Sequence, residues 1–343
     1  MKVTPALLVI GALLTFWASM AIMVLLPAAT MHPAPSSTWR PWSSEEEAGN
    51  TLYVQNGCSY CHSRYIRTND WDLGAERLAE PGDYVAQEPS ILGTERTGPD
   101  LSQAGGEHPD DWHLAHFTNP RYTRPQSLMP AWKFLGESDI RLLTAYVQAQ
   151  GGRDADTRIS RQQRWRTPAQ EAYARGPDKN IEWLHDQVPH GWLAMPNPYP
   201  PLPADLARGE KVYQDQCAGC HGPIGDGQGL AAPYLNPVPL NFTLLRRHLT
   251  DGRYLGGMLY YQIMNGITGT AMPYFKRDLE SEKIWDVSNY VAVYFVGYTD
   301  ATMEPRGIGA AYEPAWTNPY TPPQTQPAAA SQPAAAPART EPR

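Results

Sequence analysis

Cys58-Ser59-Tyr60-Cys61-His62 and Cys217-Ala218-Gly219-Cys220-His221 are two copies of one pattern, and together they use all four cysteines of the chain. Cys-x-x-Cys-His is the attachment signature of c-type haem. The two thiols add across the vinyl groups of a porphyrin, and the adjacent histidine ligates the iron from one face. Two residues between the cysteines let both sulfurs reach one macrocycle while the next side chain turns beneath the iron. A single Cys-x-x-Cys also reads as a redox pair or as half of a zinc site. Duplication, with no cysteine left for a disulfide, favours haem. The sequence therefore predicts two covalently bound haem c, one at Cys58, Cys61 and His62 and one at Cys217, Cys220 and His221.

Outward from these motifs, 343 residues allow two or three small domains. The 34 prolines and 28 glycines suggest loop-rich units rather than long regular elements. Covalent haem would staple such units in place of disulfides. The net charge of -7 is concentrated. Residues 31–150 hold 9 Lys and Arg against 16 Asp and Glu, which reads either as a docking face for a basic partner or as a solvated surface. Nothing in the composition suggests nucleic-acid binding.

Ala6 to Leu26 is a run of 21 residues without a charge. At 1.5 Å per residue it spans about 30 Å, the thickness of a bilayer hydrocarbon core. A cleaved signal peptide has a shorter apolar region, about 7–15 residues, and a small-x-small cleavage site. The length here and the sequence Leu26-Pro27-Ala28-Ala29-Thr30 favour an uncleaved anchor. Lys2 says little about orientation. Haem c is attached outside the cytoplasmic membrane of bacteria, so the expectation is a single-pass protein of that membrane with its haem domains in the periplasm.

The surroundings of the two motifs also repeat. Ser43 or Ser44 can cap a helix through Glu45-Glu46-Glu47 that runs by Leu52-Tyr53-Val54 into Cys58. Asp205 is expected to cap the corresponding helix, whose Val212-Tyr213 leads into Cys217. Each unit later carries a Met-Pro pair, Met129-Pro130 and Met272-Pro273, followed by an amphipathic helix over Ser138–Val147 or Ser281–Val291. Met129 precedes Tyr146 by 17 residues and Met272 precedes Tyr290 by 18, an internal repeat.

Helix, Cys-x-x-Cys-His, long loop, Met-Pro and closing helix, twice over, resembles class I cytochrome c. The resemblance implies a mainly α fold, with one N-terminal transmembrane helix followed by two class I cytochrome c domains. It also implies that Met129 and Met272 are the second axial ligands, so that the metal sites are His62 with Met129 and His221 with Met272. In that family a proline carbonyl accepts the Nδ1 proton of the axial histidine, and Pro99 and Pro233 occupy matching positions. Of the ten methionines, Met20 and Met23 fall in the apolar run, Met258 and Met264 in a helix, and Met195-Pro196 in a proline-rich linker. Only Met129 and Met272 combine a following proline with recurrence. His113 and His116 fall on an expected helix over Asp110–Thr118 and read as structural, with a bis-histidine first site left open. The expected organisation is an anchor over 1–30, a first domain over 31–150, a linker over 151–204, a second domain over 205–300 and a disordered Pro/Ala-rich tail over 301–343. The linker contains a helix-prone basic stretch, Arg158 to Arg175, and a proline run expected to set the haem separation.

The first unit goes further. Tyr53-Val54-Gln55-Asn56-Gly57-Cys58, Cys61-His62-Ser63, Ile66-Arg67, Arg96-Thr97-Gly98-Pro99-Asp100-Leu101, Asp111-Trp112-His113, His116, Pro120-Arg121 and Ser127 through Pro130 resemble the membrane-anchored monohaem subunit II of cbb3-type cytochrome c oxidases. That subunit ends after one haem, and here a second haem unit follows. The resemblance implies an electron-transfer subunit, not catalytic by itself. It would take electrons from a soluble cytochrome c or a quinol-oxidising complex and pass them to the haem-copper catalytic subunit. A nitric-oxide reductase subunit, a dihaem peroxidase and a free-standing tethered carrier remain alternatives.

Overall fold

Pro5–Thr30 forms one helix, α1, which Thr4 begins by accepting a hydrogen bond from Leu7 N. Pro5 at the first turn costs no hydrogen bond there. A π-helical turn over Ala21–Leu25 interrupts it without breaking it. None of its residues is buried, and Leu14, Trp17 and Met23 are exposed. The helix is long and apolar enough to cross a membrane. The computed structural model describes residues 4–73, 77–85, 87, 90–193, 195, 198–199, 202–245 and 256–297. The expected tail, 301–343, lies outside them. The described residues are mainly helical, and no strand occurs among them.

The first unit is built on α2 (Ser44–Gln55) and α4 (Gly136–Gln148), with α3 (Asp110–Thr118) between them in sequence. Ser43 and Glu46 form a reciprocal capping box at the start of α2. The two helices cross where Gly49 leaves no side chain, and a Cβ there would overlap the Leu142 carbonyl oxygen. Tyr53 and Tyr146 meet at the crossing with ring centroids 5.0 Å apart, and the buried Arg64 guanidinium lies 5.6 Å from both rings.

The second unit repeats this with α7 (Pro203–Gln216) and α9 (Ser281–Tyr290), and with α8 (Gly256–Asn265) preceding α9. Gly209 faces the Asp286 carbonyl, and Tyr213 and Tyr290 meet at 5.5 Å. The repeat extends to hydrogen bonds nine residues long: Tyr53 donates to His62 O at 3.2 Å and Tyr213 to Gly222 O at 2.6 Å. Asp205 is not the cap of α7. Leu202 is, with Pro203 as first helical residue, and Asp205 sits within the first turn, accepting from Arg208. Starting the helix on proline fixes its first φ and removes one of the first-turn N–H groups that would otherwise lack a partner. Arg208 also pairs at 2.9 Å with Asp286, which is fully buried.

The segment expected as a linker is part of the fold. α5 (Gly152–Ala174) anchors in the first unit, where Arg158 donates to the Gln103 and Gly105 carbonyls at 2.8 Å. Its other end reaches the second unit, where Gln162 accepts from Gly269 N at 2.6 Å. α6 (Pro177–Asp186) places Ile181 and Leu184 in the main core of the second unit. In the proline run, residues 196, 197, 200 and 201 lie outside the described residues. The two units touch directly instead: Trp112 and Ala115 of α3 pack against Ala231, Leu235 and Ala271. Asp111 accepts from Asn236 N at 3.0 Å and from Arg166 at 2.5 Å, and Glu107 accepts from Tyr274 at 2.8 Å.

Candidate haem sites

In the first unit α2 runs out at Gly57, whose φ of 68° turns the chain into a tight helical turn over Cys58–Tyr60. Cys61 N and His62 N both donate to Cys58 O, which closes the turn that carries the three side chains. His62 Nδ1 lies 2.9 Å from Pro99 O. The loop that presents this carbonyl is pinned from several directions. Gly98 N donates to Cys61 O at 2.9 Å, and Asp100 accepts from Ser63 Oγ at 2.6 Å and Tyr65 N at 2.9 Å. Arg96 reaches Ser63 Oγ at 2.6 Å and Asp70 at 2.9 Å. Arg96, and then Arg67, hold the Asp70 carboxyl well below the usual carboxylate range. Burial lowers the His62 pKa despite the Pro99 carbonyl, which favours a neutral ring. With Nδ1–H donated to that carbonyl, Nε2 is left as a lone pair for a metal. Met129 packs with Cys58, Leu101, Leu114 and Trp132 against the helix crossing. Ser127 Oγ accepts from Met129 N at 3.2 Å, and Arg121 donates to Met129 O at 3.1 Å.

The second unit arranges the same parts. Cys220 N and His221 N donate to Cys217 O, and His221 stacks on Phe242 with centroids 4.5 Å apart. Thr270 Oγ1 accepts from Met272 N at 3.1 Å, as Ser127 does for Met129. Cys217, Cys220, His221 and Met272 all line one largely apolar cavity of about 1070 Å³, counting its open mouth. Burial pulls the His221 pKa down to about 4 against the opposing effect of a backbone carbonyl.

That carbonyl is a correction. His221 Nδ1 lies 3.1 Å from Leu240 O, and Pro233 sits apart in the turn Ala232–Tyr234. The true correspondence is between Pro99-Asp100-Leu101-Ser102 and Leu240-Asn241-Phe242-Thr243. Asp100 accepts from Ser102 N at 2.8 Å and Asn241 from Thr243 N at 2.9 Å. A backbone acceptor has no residue identity, so the proline was a poor guide. An Asp or Asn followed two residues later by Ser or Thr was the usable signal.

The rival readings of Cys-x-x-Cys fare worse. A redox pair needs a thiol of lowered pKa. Burial instead pushes Cys58 up to about 11 and Cys217 and Cys220 up to about 12. Among the described residues no three His, Cys, Asp or Glu side chains converge as a metal site, which a zinc reading would need. The residues do fit a porphyrin. The second cavity is apolar and edged by both thiols, and in the first unit Trp132 Nε1 is buried with no protein acceptor, a donor that a porphyrin propionate would satisfy. His113 is buried on α3 and His116 is partly buried, bonded to Thr123 Oγ1 at 2.6 Å.

Helical units crossed over a Cys-x-x-Cys-His turn, with a methionine loop alongside, define a c-type cytochrome, whose families imply covalently bound haem c. The family model described as cytochrome c oxidase, mono-heme subunit/FixO, matches residues 1–188, and a second, cytochrome c oxidase, cbb3-type, subunit III, matches residues 204–291. This chain belongs to the FixO mono-heme subunit family, with a second cytochrome c domain joined to it. It is also similar to cytochrome c6 of Thermosynechococcus vestitus, 40% identical over 26% of this chain and 70% of that protein. Cytochrome c6 of Synechococcus elongatus is 39% identical over 26% of this chain and 88% of its own length. A solved chain of the Kuenenia stuttgartiensis reducing HAO-like protein complex aligns at 19% identity over 75% of this chain and 98% of that one. Its TM-score of 0.24 carries no argument.

Proposed function

We propose that this chain is a membrane-anchored, two-haem electron-transfer subunit that delivers electrons to the catalytic subunit of a cbb3-type haem-copper oxidase. The observation that carries the reading is the lining of one apolar cavity by both thiols, His221 and Met272, repeated in its parts around Cys58, Cys61, His62 and Met129. An iron ligated by one His and one Met would have no open position for substrate, which supports outer-sphere electron transfer at a raised potential. Leu240 and Pro99 hold the two imidazoles in the ligating tautomer through their carbonyls, and Phe242 keeps water from the second ring. α1 would keep both sites beside a membrane partner, in the periplasm, and make the encounter effectively intramolecular.

The contrast between the two units supports an order of flow. Around the first site Tyr60 and Leu128 are 79% and 82% exposed. Their counterparts in the second unit are covered: Gly219 lies against the Tyr122 carbonyl and Ala271 packs on Trp112. The second site thus faces inward onto the first, and the first presents an apolar rim to the next protein. Electrons from a soluble cytochrome c or a quinol-oxidising complex enter at the second site and leave from the first.

The test is to tag the chain, extract it in mild detergent and inventory what co-purifies. Two haem c per chain with b-type haem, copper and oxygen uptake is the expected result. Non-haem iron in place of copper would move the complex to nitric-oxide reduction. The haem c groups alone would leave a tethered carrier.

A further inference from the structure

The nine-residue helix α3 has one face in each site. Leu114 and Phe117 pack in the cluster that contains Cys58 and Met129, whereas Trp112 and Ala115 pack with Cys220 and Ala271. Trp112 also lines the cavity shared by Cys217, Cys220, His221 and Met272. Its indole lies flat on the His116 imidazole, with centroids 4.5 Å and planes 11° apart. His116 in turn meets Phe117 with ring centroids 6.3 Å apart, and Phe117 packs in the cluster that holds Cys58 and Met129. A single helix therefore forms the wall between the two sites, and its aromatic side chains span that wall.

We propose that α3 is the electron passage between the two haem sites, with Trp112 and His116 as the stacked pair that couples them. The proposal rests on the two-haem reading above. One electron leaves the group at Cys217 and Cys220 and one arrives at the group at Cys58 and Cys61. No bond forms or breaks and no proton moves. The two rings bridge the gap without being oxidised or reduced themselves. The pair is held rigid: His108 stacks on the other face of Trp112 at 3.7 Å, and His116 is fixed by its bond to Thr123. Close packing keeps the separation constant and water out of the gap. Trp112 and His116 are positioning residues that touch no reacting atom of a substrate.

The experiment uses the full haem-loaded chain in detergent. The haem c content is counted first, one electron is then injected by flash photoreduction, and its redistribution between the sites is timed. Trp112→Leu keeps an apolar side chain at the contact but removes the stack. It is expected to slow redistribution several-fold in a chain that still carries two haem c. Trp112→Phe is expected to recover most of the rate, which a purely structural role would not predict. His116→Leu gives an independent reading should Trp112→Leu fail to fold, with the same slowing expected. Unchanged redistribution in Trp112→Leu or in His116→Leu overturns the passage. A wild-type chain with a single haem c overturns the two-haem reading itself, and is distinguished by the count before any rate is measured.

Discussion

Gly209 on α7 lies directly against the backbone carbonyl of Asp286 on α9, and Gly49 on α2 meets Leu142 on α4 in the same way. Both crossings bring backbones closer than any side chain permits. Gly209→Ala and Gly49→Ala are each expected to destabilise the chain by about 1–3 kcal/mol through overpacking. Gly191 has open space around it, so Gly191→Ala serves as the neutral control. Urea unfolding of the three variants checks this, and equal midpoints would refute it.

Met129→Ala and Met272→Ala are each expected to remove one thioether from iron. Each should lower the midpoint potential of one site and leave the other unmoved, because His/Met ligation raises the potential. A redox titration of each variant measures it. Unchanged spectra and potentials in either variant would strike that methionine from the ligand set.

Pro233→Ala is expected to leave the second site's spectrum and potential unchanged, since the acceptor facing His221 is the Leu240 carbonyl. Asn241→Leu removes the side chain that accepts from Thr243 N and Thr243 Oγ1, and should loosen the loop that presents that carbonyl. The expected result is a shifted potential at the second site only. The reverse pattern would return the role to Pro233.

The interface carries a pH dependence. Burial holds His113 at about 4 and His116 at about 3, and lowers His108 as well. Asp110 and Asp111 face His113 and temper its shift, while Arg124 faces His108 and His116, and His62 also faces His116. These are folded-state pKa values below the unfolded value of about 6.5. An opened chain therefore takes up protons that the folded chain refuses. Their contribution is complete above about pH 6.5 and is lost as the pH falls towards the folded values, at up to about 1.4 kcal/mol per unit for each histidine. Melting temperatures between about pH 8 and pH 5 should fall below neutrality, and His116→Gln should flatten part of the fall. A flat wild-type profile would show that these rings are not buried neutral.

Much of the fold was legible in the chain. The apolar run gave α1, the Ser43 cap and the Met129-to-Tyr146 and Met272-to-Tyr290 spacings gave the repeated unit, and the helical positions of His113 and His116 gave α3. These signals are local: a cap, a periodicity or a motif acts through residues that are neighbours in sequence. Gly49 and Gly209 went unread because a glycine in a helix announces no partner until the helix that crosses it is known.

The sequence by itself determined the two Cys-x-x-Cys-His motifs, the long apolar helix α1 and the twofold repeat, because each is written in residues that are neighbours along the chain. Only the tertiary structure decided which carbonyl meets His221, that α6 belongs to the second core, and that α3 has a face in both sites. Those relationships join residues far apart in the chain, several through backbone atoms that every residue type shares. Packing selects them.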